Sequence, residues 1–311
     1  MKFITSKELK LKKRNLLSHK GENGNVLIIG GSVDYPGSPL LCARSALSVL
    51  RSGADMVTVA APEKVAWTIN RAAPDIITKK IKGNFLIQRH LAEFLKISKN
   101  KNAIQIGNGI GLRRGTQKFV NRYLKKIKEM NKNIVVDADA IKVVDAKNMK
   151  NCIVTPHLRE LEIFLNNNFE FDKNKIRFET KEFQKNITDY SKYIQIITKP
   201  FLENNNVLLI KGKIDTIISS DRIRFNKTGN AGMTHAGCGD VLAGLTTGLA
   251  AQGNGLFESA CIAAYINGLA GESLYKTKGY GYIASDLIEE IPAVMKKTKT
   301  SSKSLSVCRK K

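Results

Sequence analysis

Long hydrophobic runs are missing from this sequence of 311 residues. No stretch reaches the roughly 18 uncharged apolar residues that a membrane-spanning helix needs. The N-terminus is rich in lysine, and no apolar segment of the kind found in signal peptides follows it. We therefore expect no membrane span and predict that the protein is cytoplasmic.

Paired cysteine motifs are also missing. The five cysteines form no CxxC pair, and none has the Cys/His spacing of a zinc site. An odd number of cysteines without an export signal is typical of reduced thiols in a cytosol. The sequence therefore predicts neither a disulfide framework nor a structural zinc site.

Acidic residues are few: 27 Asp and Glu face 51 Lys and Arg, which gives a formal net charge of +24. Such a charge is typical of proteins that bind nucleic acids or membrane surfaces. The lysines are spread along the whole chain, however, which favours a generally basic surface over one polyanion-binding face. We do not expect nucleic acid as the partner, although the charge would help to attract phosphate-bearing small molecules.

The sequence does contain a regular alternation of short apolar runs and helical patterns. Repeated strand–turn–helix units predict an α/β fold with a mostly parallel central sheet and helices on both faces. The predicted strands lie at residues 26–29, 56–60, 103–106, 134–136, 152–155 and 207–210, with a hairpin at 215–226, and the main helices at 39–51, 116–131, 159–165, 187–193, 240–252 and 258–275. We predict one domain at residues 21–296, after a basic lead-in at 1–20 and before a disordered basic tail at 297–311.

Several of the predicted strands end in residues that can bind or react with a ligand. Ligands of open α/β sheets bind outside the carboxyl ends of the strands. Any one of these residues could serve an ordinary turn, but together they predict a single crevice lined by Gly31, Gly111, Asp137, His157, Lys211 and Asp240.

The strongest signal is the glycine-rich stretch from Thr228 to Asp240, which leads into a helix of small residues. Backbone N–H groups of Gly237, Cys238 and Gly239, with the positive end of that helix, predict an anion hole suited to a phosphoryl group. Asp240 lies where it can take a proton from a substrate hydroxyl. The alternative is a plain helix-capping aspartate after a glycine turn.

The Gly-x-Gly-Asp start of this helix resembles the ribokinase superfamily, and a wider set of motifs resembles the ADP- or ATP-dependent NAD(P)H-hydrate dehydratases. Each motif is weak alone, but their order and spacing from about residue 19 to 290 make the set specific. The motifs are Asn25-Val-Leu-Ile-Ile-Gly-Gly-Ser32, Tyr35-Pro-Gly-Ser-Pro39, Gly107-Asn-Gly-Ile-Gly111, Asp137-Ala-Asp-Ala140, Thr155-Pro-His157 with Glu160, Lys211-Gly212 and Asn230-Ala-Gly-Met233.

The resemblance implies a single-domain, ribokinase-like three-layer sandwich and a hydro-lyase activity. In that family a nucleotide phosphorylates the C6 hydroxyl of the S-epimer of hydrated NADH or NADPH, and loss of phosphate restores the reduced ring. Hydroxide is a poor leaving group and phosphate a good one, which fits an anion hole beside a general base. The resemblance further implies Mg²⁺, a homotetramer and a separate epimerase acting on the same metabolite.

The family's site residues are carried over by motif position. For the substrate these are Ser38, Gly111, His157 and Asp240, with Asp240 as the catalytic base. For the nucleotide they are Lys211, Gly212, Lys213, Ile214, Asp215 and Gly239. No side chain is assigned to the metal. ADP is favoured over ATP as phosphoryl donor because the resemblance is to prokaryotic forms.

The sequence departs from the family pattern at Ser38, where Ala is usual, and at Cys238, the His235-Ala236 pair, Arg159 and Asp215. Cys238 replaces a common Thr or Ser, but backbone donors survive that change, so we expect activity to survive it. Ala236 would matter if its position needed a positive φ. The departures bear on nucleotide preference more than on the reaction class.

Two other functions remain open from the sequence. A kinase of the same superfamily, acting on hydroxymethylpyrimidine or hydroxyethylthiazole, would share the glycine-rich loop and Asp240 but would leave a stable phosphate ester. A non-catalytic nucleotide- or RNA-binding protein would use the basic surface alone. A dinucleotide-binding oxidoreductase ranks lower, since no GxGxxG followed by an acidic residue is present.

Overall fold

The computed structural model describes residues 1–6, 9, 15–34 and 47–307 of the chain. The described residues contain nine strands in one sheet. The strands are β1 Asn25–Ile29, β2 Met56–Pro62, β3 Ile77–Ile81, β4 Ala103–Ile106, β5 Asn133–Val136, β6 Cys152–Val154, β7 Val207–Ile210, β8 Asp215–Ile218 and β9 Ile223–Asn226. The helices are α1 Glu63–Ala72, α2 Leu91–Ser98, α3 Arg114–Ile127, α4 Leu158–Asn168, α5 Thr180–Lys185, α6 Ile187–Ile197, α7 Lys199–Leu202, α8 Cys238–Ala251, α9 Leu256–Lys278 and α10 Ala284–Val307.

The sheet has the strand order β3-β2-β1-β4-β5-β6-β7-β8-β9. All neighbours from β3 to β7 are parallel, and β7, β8 and β9 pair antiparallel. The predicted mostly parallel sheet with one hairpin is therefore confirmed. The chain order reverses between β1 and β4, and such a switch point is where open α/β sheets bind ligands.

Two buried layers lie on opposite faces of the sheet. Within β1, Val26 and Ile28 point into one layer, and Leu27 and Ile29 point into the other. Helices α1, α8, α9 and α10 supply the first layer. Helices α2, α3, α4 and α6 supply the second, which is rich in phenylalanine. Alternate side chains of each strand thus pack against helices on both faces, as expected for a three-layer α/β sandwich.

The structure adds elements that the sequence pattern did not predict. Strand β3 carries Lys79 and Lys80 beside its isoleucines, so it lacks the continuous apolar run of a central strand; it lies at the edge of the sheet. Helices α1 and α2 follow β2 and β3 and complete their strand–helix units. The predicted helix at 39–51 is seen at residues 47–51, and the rest of it lies outside the described residues.

The C-terminal segment also differs from the prediction. Helix α10 continues to Val307, into the segment at 297–311 for which we predicted a disordered tail. Residues 297–307 contain neither glycine nor proline to end a helix. Thr298 is still buried, and its hydroxyl donates to the Val294 carbonyl at 2.9 Å. Among the described residues, none of the helices combines the length and apolar character needed to cross a membrane.

Candidate active site

Two glycine turns meet at the switch point of the sheet. The turn after β1 and the turn after β4 are joined by a hydrogen bond in which Gly31 N–H donates to the Asn108 carbonyl at 2.8 Å. Gly107 has a φ of +135°, and a Cβ on it would lie 1.8 Å from the backbone oxygen of Asp137. The β4 turn can therefore pack against the β5 turn only because position 107 is glycine.

Asp240 lies in the first turn of α8, where its Oδ1 accepts a hydrogen bond from Asn108 of the β4 turn. Helix α8 begins after Gly237, whose φ of +96° is left-handed. Burial first, and then the nearby Asp137 carboxylate, raise the pKa of Asp240 to about 6, against the lowering effect of Asn108 and Lys211. A half-buried carboxyl with this pKa is ionised at neutral pH and remains basic enough to accept a proton.

The loop that leads into α8 presents the helix N-terminus beside a lysine. A Cβ on Gly239 would lie 3.5 Å from the Lys211 ammonium nitrogen, so backbone and ammonium group face the same space. The N–H of Cys238, one of the predicted anion-hole donors, donates to the His235 carbonyl at 3.4 Å. This long hydrogen bond is weak, and the first-turn N–H of Gly239 has no partner within the helix.

A buried acidic and basic cluster lies beneath the loop. Asp137 is 2% exposed and follows β5. Its Oδ1 accepts from Thr155 Oγ1 at 2.7 Å and from Lys211 Nζ at 3.0 Å. Lys211 Nζ also lies 3.8 Å from Glu160 Oε2. Burial alone would lower the pKa of Lys211, but the carboxylates of Asp137 and Glu160 outweigh it and raise that pKa, which keeps the ammonium group charged.

His157 caps α4 and is exposed to solvent. The His157 Nδ1 accepts from the Glu160 backbone N–H at 3.3 Å, and the His157 backbone N–H donates to Glu160 Oε2 at 3.1 Å, which is a reciprocal capping box. Burial of the ring and Lys211 lower the pKa of His157, and Glu160 opposes them. The backbone of His157 forms a parallel β-bridge with Lys211, so the two residues lie at the same edge of the sheet.

Gly111 ends the β4 turn and is held by the segment after β5. Its N–H donates to Asp139 Oδ2 at 3.1 Å, and Lys142 Nζ lies 3.0 Å from Asp139 Oδ1. Gly111 has a φ of +76°, so the turn depends on glycine here too. The Asp139 carboxylate therefore holds the backbone of the β4 turn by accepting this hydrogen bond.

The predicted nucleotide-binding segment forms the turn between β7 and β8. The Gly212 N–H donates to Asp215 Oδ1 at 3.0 Å, and Asn226 Nδ2 donates to Asp215 Oδ2 at 3.0 Å. Burial raises the pKa of Asp215 to about 6, while these two donors and Lys211 lower it. Gly212 and Lys213 are exposed. The turn is therefore fixed at its base by Asp215, and its exposed backbone lies next to Lys211.

A sequence model of the NAD(P)H-hydrate dehydratase family matches residues 26–293, from β1 to α10. The chain belongs to this family. It is 39% identical over 290 residues to the bifunctional NAD(P)H-hydrate repair enzyme of Methanothermobacter thermautotrophicus, covering 92% of this chain and 52% of that one. It is 32% identical over 284 residues to the ADP-dependent (S)-NAD(P)H-hydrate dehydratase of Cenarchaeum symbiosum, covering 90% of this chain and 91% of that one.

Among solved structures, the fold is similar to that of the Bacillus subtilis ADP/ATP-dependent NAD(P)H-hydrate dehydratase co-crystallised with ATP and Mg²⁺. The TM-score is 0.72 at 22% identity, and the match covers 96% of this chain and 98% of that one. The fold is also similar to that of the ribokinase of Thermotoga maritima, with a TM-score of 0.55 at 12% identity over 88% of this chain and 99% of that one, so the ribokinase-like fold expected from the sequence is confirmed. The chain spans about half the length of the bifunctional relatives it matches in sequence.

Within this dehydratase fold, most of the residues predicted for the site lie at the carboxyl edge of the sheet. Gly111, His157 and Lys211 follow β4, β6 and β7, and Asp240 lies in the first turn of α8. Ser38 lies outside the described residues. Sequence reasoning gave no separate role to Asn108 or Thr155, which both contact Asp137. Both lie inside motifs that the sequence shows, Asn108 two residues after β4 and Thr155 one residue after β6, and this position at a strand end was the available signal.

Proposed function

We propose that this chain catalyses the nucleotide-dependent dehydration of hydrated NADH or NADPH, as the names of its relatives indicate for them. The observation that carries the proposal is the placement of Asp240, at the N-terminus of α8, beside the Lys211 ammonium group and the glycine turns of β1 and β4. A base, a fixed cation and a helix N-terminus facing one space are the groups that phosphoryl transfer to a hydroxyl needs.

In the proposed reaction, ionised Asp240 takes the proton of the C6 hydroxyl of the hydrated nicotinamide ring. The hydroxyl oxygen attacks the terminal phosphorus of the nucleotide, and the bond from that phosphorus to the bridging oxygen breaks. The C6–O bond of the resulting phosphate ester then breaks and a proton leaves the neighbouring ring carbon C5, which releases inorganic phosphate and restores the C5–C6 double bond of the reduced ring. Lys211 and the N–H groups at the start of α8 stabilise the charge that develops on the phosphoryl oxygens.

Lys211 is suited to this role by its surroundings. The Asp137 and Glu160 carboxylates keep its ammonium group charged and hold it close to Gly239. The turn from Lys211 to Asp215 supports the nucleotide beside it, with Ile214 N–H anchored to Gln184 Oε1 at 3.0 Å. We propose ADP as the preferred donor, as in the name of the Cenarchaeum relative.

We propose Mg²⁺ as a charge-neutralising partner of the nucleotide. Across residues 15–34 and 47–298, no group of three or more His, Cys, Asp or Glu side chains is arranged to hold a metal ion. Both oxygens of Asp139 already accept hydrogen bonds, from Gly111 and Lys142. Mg²⁺ commonly binds through substrate phosphates, waters and one or two carboxylates. The ion would therefore be held mainly by the nucleotide phosphates, where it would neutralise part of their charge.

We further propose that the substrate is the S-epimer, that Ser38 and His157 bind it, and that the protein is a cytoplasmic homotetramer. We also propose that a separate epimerase acts on the same metabolite. The bifunctional names of several relatives support the last of these, because they describe a second repair activity in the longer chain.

The test is a direct assay. The purified protein is incubated with hydrated NADH, Mg²⁺ and either ADP or ATP, and the absorbance of the reduced nicotinamide ring is followed as it returns. We expect a nucleotide-dependent rise that Asp240→Ala reduces about a hundredfold or more, as for loss of a general base. Asp189→Ala, at an exposed position on α6, is the matched control and should retain full activity.

The assay also separates the small-alcohol kinase, which shares Asp240 and the glycine-rich loop. A kinase would convert hydroxymethylpyrimidine or hydroxyethylthiazole into a stable phosphate ester and release no inorganic phosphate. Folded protein that gives no absorbance rise with either nucleotide would contradict the dehydratase proposal.

A further inference from the structure

Asn108 lies between the two acidic side chains at the centre of the site. It is 1% exposed and follows β4 in the turn Gly107-Asn-Gly-Ile-Gly111. Its Nδ2 donates to Asp137 Oδ2 at 3.1 Å and also to Asp240 Oδ1. An amide nitrogen carries two hydrogens, so one side chain can serve both carboxylates.

The orientation of this amide is fixed from behind. Gln105 Nε2 donates to Asn108 Oδ1 at 2.7 Å, and Thr247 Oγ1 lies 3.3 Å from Gln105 Oε1. Gln105 is on β4 and Thr247 is on α8, the helix that carries Asp240. Turning the Asn108 amide over would place its NH₂ group against that of Gln105 and its oxygen against two carboxylates. The chain from Gln105 to Asn108 therefore selects the arrangement in which Asn108 donates to Asp240.

We propose that Asn108 is a positioning residue that holds Asp240 as an ionised, oriented base, and that Gln105 fixes Asn108 for this purpose. This inference rests on the proposed function, in which Asp240 is the base. Asn108 is not required to contact the substrate. A donor to the carboxylate stabilises its charged form and its orientation at once.

The charged and titratable groups facing Asp240 come from three elements. Asp137 follows β5, Lys211 follows β7, and the Cys238 thiol lies on α8 itself. Burial and Asp137 disfavour the charged carboxylate, whereas Asn108 and Lys211 favour it. Removing the Asn108 amide leaves Asp137 and Asp240 facing each other without their shared donor. The expected consequence is an Asp240 that is harder to ionise and free to change rotamer.

The experiment compares Asn108→Leu with Asn206→Leu. Asn206 is also 1% exposed and makes three side-chain hydrogen bonds, but it lies near the amino ends of β6 and β7, at the opposite edge of the sheet from Asp240. In Asn108→Leu we expect the acid limb of the kcat/KM profile to move up by about one pH unit. We also expect kcat to fall about tenfold or more while KM for the nucleotide changes little, because a base is impaired and binding groups are kept.

Asn206→Leu should lose stability without moving the acid limb. Gln105→Leu, one step further from Asp240, should move the limb in the same direction by less, and it provides a second test where Asn108→Leu does not fold. An unchanged limb in folded Asn108→Leu, or an equal shift in Asn206→Leu, overturns the proposal.

A measurement without turnover keeps this test separate from that of the proposed function. The difference in unfolding free energy between the protein and its Asp240→Asn variant is measured against pH. Because burial raises the pKa of Asp240 to about 6, the stability that its protonated form contributes declines as pH rises towards that value. In the Asn108→Leu background this decline should continue to higher pH. The same pH range in both backgrounds contradicts the positioning role, whatever reaction the protein catalyses.

Discussion

At the scale of single residues, Asp240 gives the clearest pH dependence. Its pKa is raised to about 6, chiefly by burial and then by Asp137. As the proposed general base, Asp240 must be ionised to accept a proton, so kcat/KM should be constant near neutral pH and fall about tenfold per unit below about pH 6. The measurement is the initial rate of NADH recovery at low substrate from pH 5 to 8. A rate that stays constant down to pH 5 would contradict Asp240 as the base.

Cys238 shows how a departure from the family pattern can be harmless. Its side chain is 4% exposed, and burial together with Asp240 raises the pKa of the thiol to about 11. The proposed phosphoryl contacts come from backbone N–H groups, which a side-chain change leaves in place. We expect Cys238→Ser to keep kcat/KM within about threefold, since the donors that stabilise the phosphoryl charge are unchanged.

Iodoacetamide should label Cys238 slowly in the folded protein because a protonated, buried thiol is a poor nucleophile.

The neighbouring Gly237→Ala is the contrasting variant. Gly237 has a φ of +96°, so an alanine there costs about 1–2 kcal/mol in backbone strain or forces the loop to move. Activity should therefore fall in Gly237→Ala and persist in Cys238→Ser, as judged by parallel rate measurements. The reverse order would mean that the thiol, and not the backbone, contacts the phosphoryl group.

At the scale of elements, the site depends on how closely two turns approach. The turn after β4 lies on the turn after β5, and a Cβ on Gly107 would lie 1.8 Å from the Asp137 carbonyl oxygen, which belongs to the backbone and cannot swing away. We predict that Gly107→Ala lowers the free energy of unfolding by about 3 kcal/mol or more, from overpacking and backbone strain together. Urea unfolding followed by circular dichroism measures this.

Gly281→Ala is the control for that variant. Gly281 has no heavy atom within 4 Å of an added Cβ, and its φ is not in the left-handed region. The free energy of unfolding of Gly281→Ala should stay within about 0.5 kcal/mol of the native value. Equal urea midpoints for the two variants would show that the turns after β4 and β5 can separate without cost.

These close approaches explain why part of the site could not be predicted. The sequence shows that Gly107, Asn108 and Asp137 follow strands, and strand ends predict a shared edge. It does not show that β4 and β5 are neighbours, or that α8 returns over β4 and places Thr247 against Gln105. The bonds from Asn108 to two carboxylates depend on those long-range pairings, which no local pattern encodes.

At the scale of the whole molecule, the layer architecture was predictable because central strands such as β1 and β7 contain uninterrupted apolar runs between turns. Edge strand β3 was not, because its solvent-facing lysines interrupt the run. The helix through Val307 was not predicted because its Lys, Thr and Ser content resembles that of a disordered tail. Composition therefore predicted the buried centre of the sheet better than its exposed margin.

Lys101 connects this architecture to the stability of the whole domain. It precedes β4, is 8% exposed, and its ammonium donates to two neutral oxygens, Asn25 Oδ1 at 2.8 Å and Thr58 Oγ1 at 2.7 Å. Burial, and then the positive charge of Lys79, lower the pKa of Lys101 from 10.5 to about 8. Strands β1, β2 and β4 thus surround Lys101, and the two neutral oxygens compensate its positive charge only in part.

The lowered pKa of Lys101 sets the sign of its contribution to stability as pH changes. Between about pH 8 and 10.5 the unfolded chain binds the Lys101 proton and the folded protein does not, so the contribution of Lys101 to stability rises with pH across that range. Lys101→Met removes the contribution. Relative to the native protein, the variant should therefore be most stable below pH 8 and should lose about 3 kcal/mol of that relative stability by pH 10.5. Urea unfolding from pH 7 to 10.5 measures the difference, with Lys125→Met on the exposed face of α3 as the control. If the difference in free energy of unfolding between Lys101→Met and the native protein did not change with pH, solvent would reach the Lys101 ammonium group and the three strands would not exclude water from it.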